Sequence, residues 1–99
     1  DMPLFAMIAR DRPGTGDKRA ATRPVHMDHL TALGENLVLA GALMGPDGNP
    51  EGSLLVLEAA SLEEATTRLM ADPFVEEGIF GSIEVKPWRV AFNHTGREF

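Results

Sequence analysis

The sequence contains no cysteine. A disulfide framework is therefore impossible, and so is a thiolate metal site or a redox-active thiol. Basic residues are scarce: nine Lys and Arg stand against fifteen Asp and Glu, for a net charge of -6 and a pI near 4.9. Proteins that neutralise a phosphate backbone need clustered basic side chains, so nucleic acid is not an expected partner. Long apolar runs are missing too. The longest, Leu37 to Met44, falls far short of the roughly 20 residues that span a bilayer. The N-terminal stretch has neither the basic segment nor the small-residue cleavage signature of an export signal. A cytoplasmic protein without membrane association is the expectation. No low-complexity segment or internal linker interrupts the chain.

What is present fits one small domain. A folded chain of 99 residues buries only about 60 to 65% of the surface that its unfolded form exposes, so the core is thin and self-association is favoured. The 43% hydrophobic and 24% charged composition is that of an ordinary globular protein rather than a disordered one. The domain is expected over residues 2–92. Residues 93–99 form a C-terminal tail, expected to be mobile unless a dimer pins it.

Apolar runs and breakers set the elements. Leu4 to Ala9 is continuously apolar and ends at Arg10-Asp11-Arg12-Pro13-Gly14, which predicts a strand buried on both faces. Helical pattern begins around Lys18, and Pro24 places the regular start of that helix near Arg23, because proline is tolerated in a first turn but breaks an interior. His26, Leu30, Leu33 and Leu37 recur at spacings of four, three and four, one face of a helix. Leu37 to Met44 predicts a second strand, with Gly41 a candidate bulge. The turn-rich Gly45 to Gly52 leads to a third strand from Ser53. Ser61-Leu62-Glu63-Glu64 is a capping box opening a second helix, which ends by Asp72 because Pro73 disfavours helical geometry before it. Pro73 to Gly78 predicts a further short helical turn. A last strand is predicted within Ile79 to Phe92, demoted to an edge by Pro87, which cannot donate to a ladder.

The order strand, helix, strand, strand, helix, strand with right-handed crossovers predicts an α+β, ferredoxin-like fold: a four-stranded antiparallel sheet with both helices on one face. The first and third strands lie in the middle and are apolar throughout, so something must cover the other face. A second copy is the expected cover, giving a homodimer packed sheet against sheet.

The same topology places a site. The start of the first helix and the end of the second fall at one end of the domain, together with the Gly45 to Gly52 loop and the entry to the last strand, Ile79 to Ser82. His26 and Asp72 are thereby brought together. A carboxylate bonded to one imidazole nitrogen fixes the tautomer and leaves the other nitrogen to exchange a proton near neutral pH. Arg19 and Arg23, one helical turn apart, could hold an anionic substrate group at the helix start, and Ser82 joins them as a substrate-binding candidate. Plainer roles compete with these. A helix-face histidine is more often a packed core or interface residue than a catalyst, Asp72 before Pro73 can simply end a helix, and both arginines can be surface charges. His29 lies near His26, but three-ligand spacing is missing and His94 sits in the tail, so no metal is expected. No Ser or Cys nucleophile with an attendant base is recognisable, and no cofactor is implied. Trp88 is a packing or interface candidate.

Arg23-Pro24-Val25-His26 with Leu30, then Gly41-Ala42-Leu43, Ser61-Leu62-Glu63-Glu64-Ala65, Asp72-Pro73-Phe74 and Val85-Lys86-Pro87-Trp88, resembles in order and spacing the YciI-like (YCII-related) family, from Leu4 to Phe92. The resemblance implies a dimeric α+β barrel related to muconolactone isomerase, with a His–Asp dyad in a pocket between sheet and helices. Carried over by motif, the dyad is His26 and Asp72. The activity associated with the family is dehydrochlorination of a chlorinated hydroxyquinol, an acid–base elimination without a cofactor. The short Pro46 to Gly52 loop departs from the family pattern and affects pocket size. The expected function is thus a cofactor-independent lyase, dehydrochlorinase or isomerase acting on a small anionic metabolite. The alternatives are a non-catalytic small-molecule-binding module and an accessory dimer.

Overall fold

The computed structural model describes residues 2–99. Its elements are β1 (Leu4–Asp11), α1 (Gly16–Leu33), a single 3-10 turn at Gly34–Asn36, β2 (Leu37–Met44), β3 (Pro50–Glu58), α2 (Leu62–Met70), α3 (Pro73–Glu76) and β4 (Phe80–Trp88). The sheet order is β2-β3-β1-β4 and every pairing is antiparallel. This is the α+β, ferredoxin-like arrangement expected from the element order, with β1 and β3 central and β4 at an edge.

Strand alternation divides the sheet into two faces. Phe5, Met7 and Ala9 of β1 and Leu55 and Leu57 of β3 point into a core completed by Ala65 and Leu69 of α2, Phe74 of α3, and Ile79. The opposite face carries Ile8, Leu54 and Leu39. Ile8 and Leu54 are directly paired across β1 and β3, and all three side chains are exposed. The same face of β4 carries Glu84 and Lys86, so the apolar patch is confined to the β2-β3-β1 side of the sheet.

α1 is longer than the sequence predicts. It starts at Gly16, and Pro24 lies inside it rather than in its first turn. Its buried residues are Arg19, Thr22, His26 and Leu33, spaced as one helical face but mostly polar. Two additional turns are supported by bonds that Arg19 makes, described below. Proline at position 24 removes the donor that the Ala20 carbonyl would otherwise meet. Leu37 belongs to β2 and not to the α1 face. Gly41 is no bulge: the register of β2 against β3 shifts between Leu37 and Leu39 and again between Leu43 and Met44. Gly52 has its own reason to be glycine, because a Cβ there would stand 2.4 Å from the Ala9 carbonyl oxygen.

The second half follows its signals closely. The Ser61 hydroxyl caps α2 by accepting from the Glu64 amide at 3.1 Å, while the Glu64 carboxylate reaches back to the Ala60 amide at 3.0 Å. Asp72 then caps α3, accepting from the Phe74 amide at 2.9 Å. The tail is tied to the domain: Arg97 donates to the Glu58 carboxylate and, at 2.6 Å, to the Glu35 carbonyl. No helix is long and apolar enough to cross a membrane among the described residues.

Candidate active site

His26 lies in the third turn of α1 and faces inward. Its Nδ1 is 2.8 Å from Oδ1 and 2.9 Å from Oδ2 of Asp72. Asp72 is completely buried, and the Phe74 amide donates to the same Oδ1. The Asp-Pro-Phe turn explains this convergence. Asp72 takes extended geometry ahead of Pro73, caps α3, and so turns its carboxylate toward α1. Phe74, one turn of chain further on, lies flat against the imidazole: the ring centroids are 3.8 Å apart and the planes differ by 5°. Phe80 meets the edge of Phe74 at 5.9 Å. The imidazole is thus held by a carboxylate at Nδ1 and by an aromatic ring on its face.

With Nδ1 engaged, Nε2 is the atom left for chemistry. Among the described residues it has no hydrogen-bond partner, and His26 lines a pocket of about 700 Å³. The pocket lies between α1, the Phe74 side chain of α3, and residues of β2 and β3. Small side chains, Ala20 on α1 and Ala40 and Ala42 on β2, keep the gap open. The β2–β3 hairpin supplies Asp47 and Asn49 at the rim. There Asp47 accepts from the Asn49 amide at 3.0 Å, and these bonds hold its carboxyl below its ordinary value of 3.8.

The two arginines play different parts. Arg19 is buried and its guanidinium is already occupied: Nη1 meets both Asp11 oxygens at 3.0 and 3.2 Å, and Nη2 donates to the Gly52 carbonyl at 2.9 Å and to the Ser53 hydroxyl at 3.1 Å. The guanidinium carbon also sits 4.7 Å from the centre of the Phe74 ring. Burial pushes the Asp11 carboxyl above its ordinary value of 3.8, and the Arg19 charge beside it pulls the other way. Arg19 therefore fastens α1 to β1 and β3 and is not a vacant anion clamp, which corrects that expectation. Arg23 is exposed, lines the pocket, and makes no side-chain hydrogen bond among the described residues. Ser82 is not at the site: it pairs with Arg10 in β4, is exposed, and lines no part of the pocket. His29 is partly buried, and its Nε2 has no hydrogen-bond partner among the described residues. No group of three or more His, Asp or Glu side chains among the described residues is arranged to hold a metal ion.

Two site residues carry no role in the sequence reading. Phe74 is visible there only as part of a turn motif, and nothing local marks its stacking on a histidine 48 positions earlier. Ser53 looks like the first residue of a strand, but it is buried and lines the pocket.

Comparison with known proteins agrees with the fold. Residues 3–89 match the YCII-related domain. The chain belongs to the YCII-related family. Protein YciI of Escherichia coli is 32% identical to this YCII-related chain over 97 residues, covering 90% of this chain and 99% of YciI. An uncharacterised Haemophilus influenzae protein is also 32% identical, over 89% of this chain and 98% of its own. Among solved structures, the 5-chloro-2-hydroxyhydroquinone dehydrochlorinase TftG of Burkholderia phenoliruptrix, in complex with 2,5-dihydroxybenzoquinone, superposes with a TM-score of 0.80 at 30% identity, covering 87% of this chain and 93% of TftG. SnoaB, a cofactor-independent oxygenase of Streptomyces nogalater, shares the fold at a TM-score of 0.55 and 12% identity, over 96% of this chain and 98% of its own.

Proposed function

We propose that this YCII-related protein is a small acid–base enzyme that needs no cofactor, a lyase or isomerase acting on a small anionic metabolite. One observation carries the reading: the Asp72 carboxylate engages Nδ1 of His26, while His26 lines the pocket and its Nε2 has no hydrogen-bond partner among the described residues. Asp72 accepts a hydrogen bond from Nδ1–H and, staying ionised, stabilises the imidazolium that forms when Nε2 removes a proton from the substrate. The same Nε2–H then returns the proton to a leaving group or to a second position. Positioned proton transfer of this kind is worth about 10²- to 10⁴-fold in rate. Arg23 supplies the free positive charge at the pocket wall.

The likeness to TftG supports elimination as the reaction type and hydroxylated quinones as the first compounds to try. A cytoplasmic homodimer is part of this reading. Its support is the patch of Ile8, Leu39 and Leu54 on the outer sheet face, which a second copy would cover.

The test is chloride release from 5-chloro-2-hydroxyhydroquinone, within a panel of small hydroxylated acids and quinones. Turnover by the wild type and its loss in His26→Ala support the proposal. Tight binding of 2,5-dihydroxybenzoquinone with no turnover of any panel member identifies a binding module instead.

A further inference from the structure

Ser53 is 2% exposed, points to the helix side of the sheet, and lines the same pocket as His26 and Arg23. Its hydroxyl accepts a hydrogen bond from Arg19 Nη2 at 3.1 Å. A guanidinium can only donate, so the serine must be the acceptor and its own proton must go elsewhere. Among the described residues no backbone or side-chain acceptor takes that proton. Arg19 cannot rotate to relieve this arrangement, because Asp11 and the Gly52 carbonyl hold the rest of its fork. A buried hydroxyl with a fixed acceptor side and an idle donor beside a cavity is arranged for a ligand oxygen.

We infer that Ser53 is a substrate-binding residue, whose hydroxyl is oriented by Arg19 and donates to an oxyanion of the bound molecule. Donation from the guanidinium polarises the Ser53 O–H bond and strengthens it as a donor. The charge of Arg19 is spent on Asp11, so Arg19 acts through Ser53 as a positioning residue. Ser53 and Arg23 then favour an oxygen anion in a pocket that also contains a proton acceptor, Nε2 of His26. The ligand class is a small molecule with an ionisable hydroxyl, a phenol or enol that binds as its anion. This inference deepens the proposed function and rests on it for the role of His26.

The experiment uses 4-nitrocatechol, whose absorbance reports its ionisation, titrated against the wild type, Ser53→Ala, Ser53→Thr, Arg19→Lys and His26→Ala. Wild type should bind the anion and lower the pH at which the bound probe ionises. Ser53→Ala leaves Arg19 its bonds to Asp11 and Gly52, so folding is preserved. It should weaken anion binding about tenfold to a hundredfold, the range for losing a hydrogen bond to a charged partner. The ionisation of the bound probe should then move up by about one to two pH units. Ser53→Thr, which keeps the hydroxyl, should restore most of that shift. Arg19→Lys keeps the charge without the fork and should move the ionisation in the same direction as Ser53→Ala. Unchanged affinity and ionisation in Ser53→Ala, with His26→Ala impaired in turnover, overturns the assignment of Ser53 and leaves the reading of His26 standing. A Ser53→Ala defect beside unaltered turnover in His26→Ala does the reverse. Failure of the wild type to bind the anion overturns the Ser53 assignment outright.

Discussion

The Asp72 carboxylate contacts Nδ1 of His26 through both oxygens, at 2.8 and 2.9 Å, while its Oδ1 also accepts the Phe74 amide at 2.9 Å. One buried group thus orients the imidazole and caps α3. The two roles respond differently to substitution. Asp72→Asn keeps an acceptor for the cap but removes the negative charge that stabilises the imidazolium. It should lower turnover by about 10²- to 10⁴-fold with a modest loss of stability. Asp72→Ala removes every bond at once and should cost about 3 kcal/mol or more. Urea denaturation beside kinetics separates the two outcomes.

The openness of the pocket depends on small side chains, and Ala42 is the most direct handle on it. Ala42 pairs with Ser53 across β2 and β3, so both face the cavity. It is exposed on an edge strand, so Ala42→Phe should change stability by no more than about 0.5 kcal/mol. It should nevertheless fill the cavity and abolish ligand binding. Calorimetric titration with any ligand of the wild type checks this.

Most of the fold was legible because it rests on local signals. The capping box at Ser61 and Glu64, the Asp72-Pro73 break, and the alternation through β1 and β3 each state their structure within a few residues. The order of elements points to the His26–Asp72 pair, although His26 sits in the third turn of α1 and not in its first, so the pairing reaches further along the helix than topology alone requires. The misses share a physical cause. The first two turns of α1 bury Arg19 and Thr22 instead of leucines, and a search for apolar periodicity passes over a polar buried face. Pro24 by itself predicts a first turn, although a helix can carry an interior proline where the residue four back, here Ala20, borders an open pocket. The bonding of Arg19 to residues 33 and 34 positions away has no local signature, so the sequence predicts an anion clamp or a surface charge at Arg19 and only a strand start at Ser53. Ser82 shares the right end of the domain, but it lines no part of the pocket.

The outer sheet face gives a prediction about assembly. Ile8 and Leu54 lie side by side at its centre, and a homodimer would bury them. Leu54→Glu places a charge in that contact and should convert the dimer to a monomer without altering the core. Light scattering coupled to size-exclusion chromatography reads the mass. A wild-type monomer at micromolar concentration would contradict the proposed homodimer.

Asp47 sets the pH response of the hairpin at the pocket rim. Its folded carboxyl ionises below the ordinary value of 3.8 because the Asn49 backbone amide and side chain donate to it. A group with a depressed folded value stabilises the turn fully above the unfolded value, and that contribution is lost as pH falls through the folded one. The hairpin should therefore stay closed at pH 5 and loosen only below about pH 3.8. Carboxyl-carbon NMR of Asp47 with amide exchange at Asn49 follows both events. Asp47→Ala should remove the transition.

The proposed chemistry requires the neutral His26 ring to present the lone pair of Nε2, not of Nδ1. Nitrogen-15 NMR of the His26 ring, recorded on the ligand-free protein at a pH where the ring is neutral, measures this directly. The geometry predicts the Nδ1–H tautomer, with the proton shared toward Asp72 and Nε2 unprotonated, and loss of that preference in Asp72→Asn. A neutral ring protonated at Nε2 in the wild type would leave the pocket without its base and contradict the proposed chemistry.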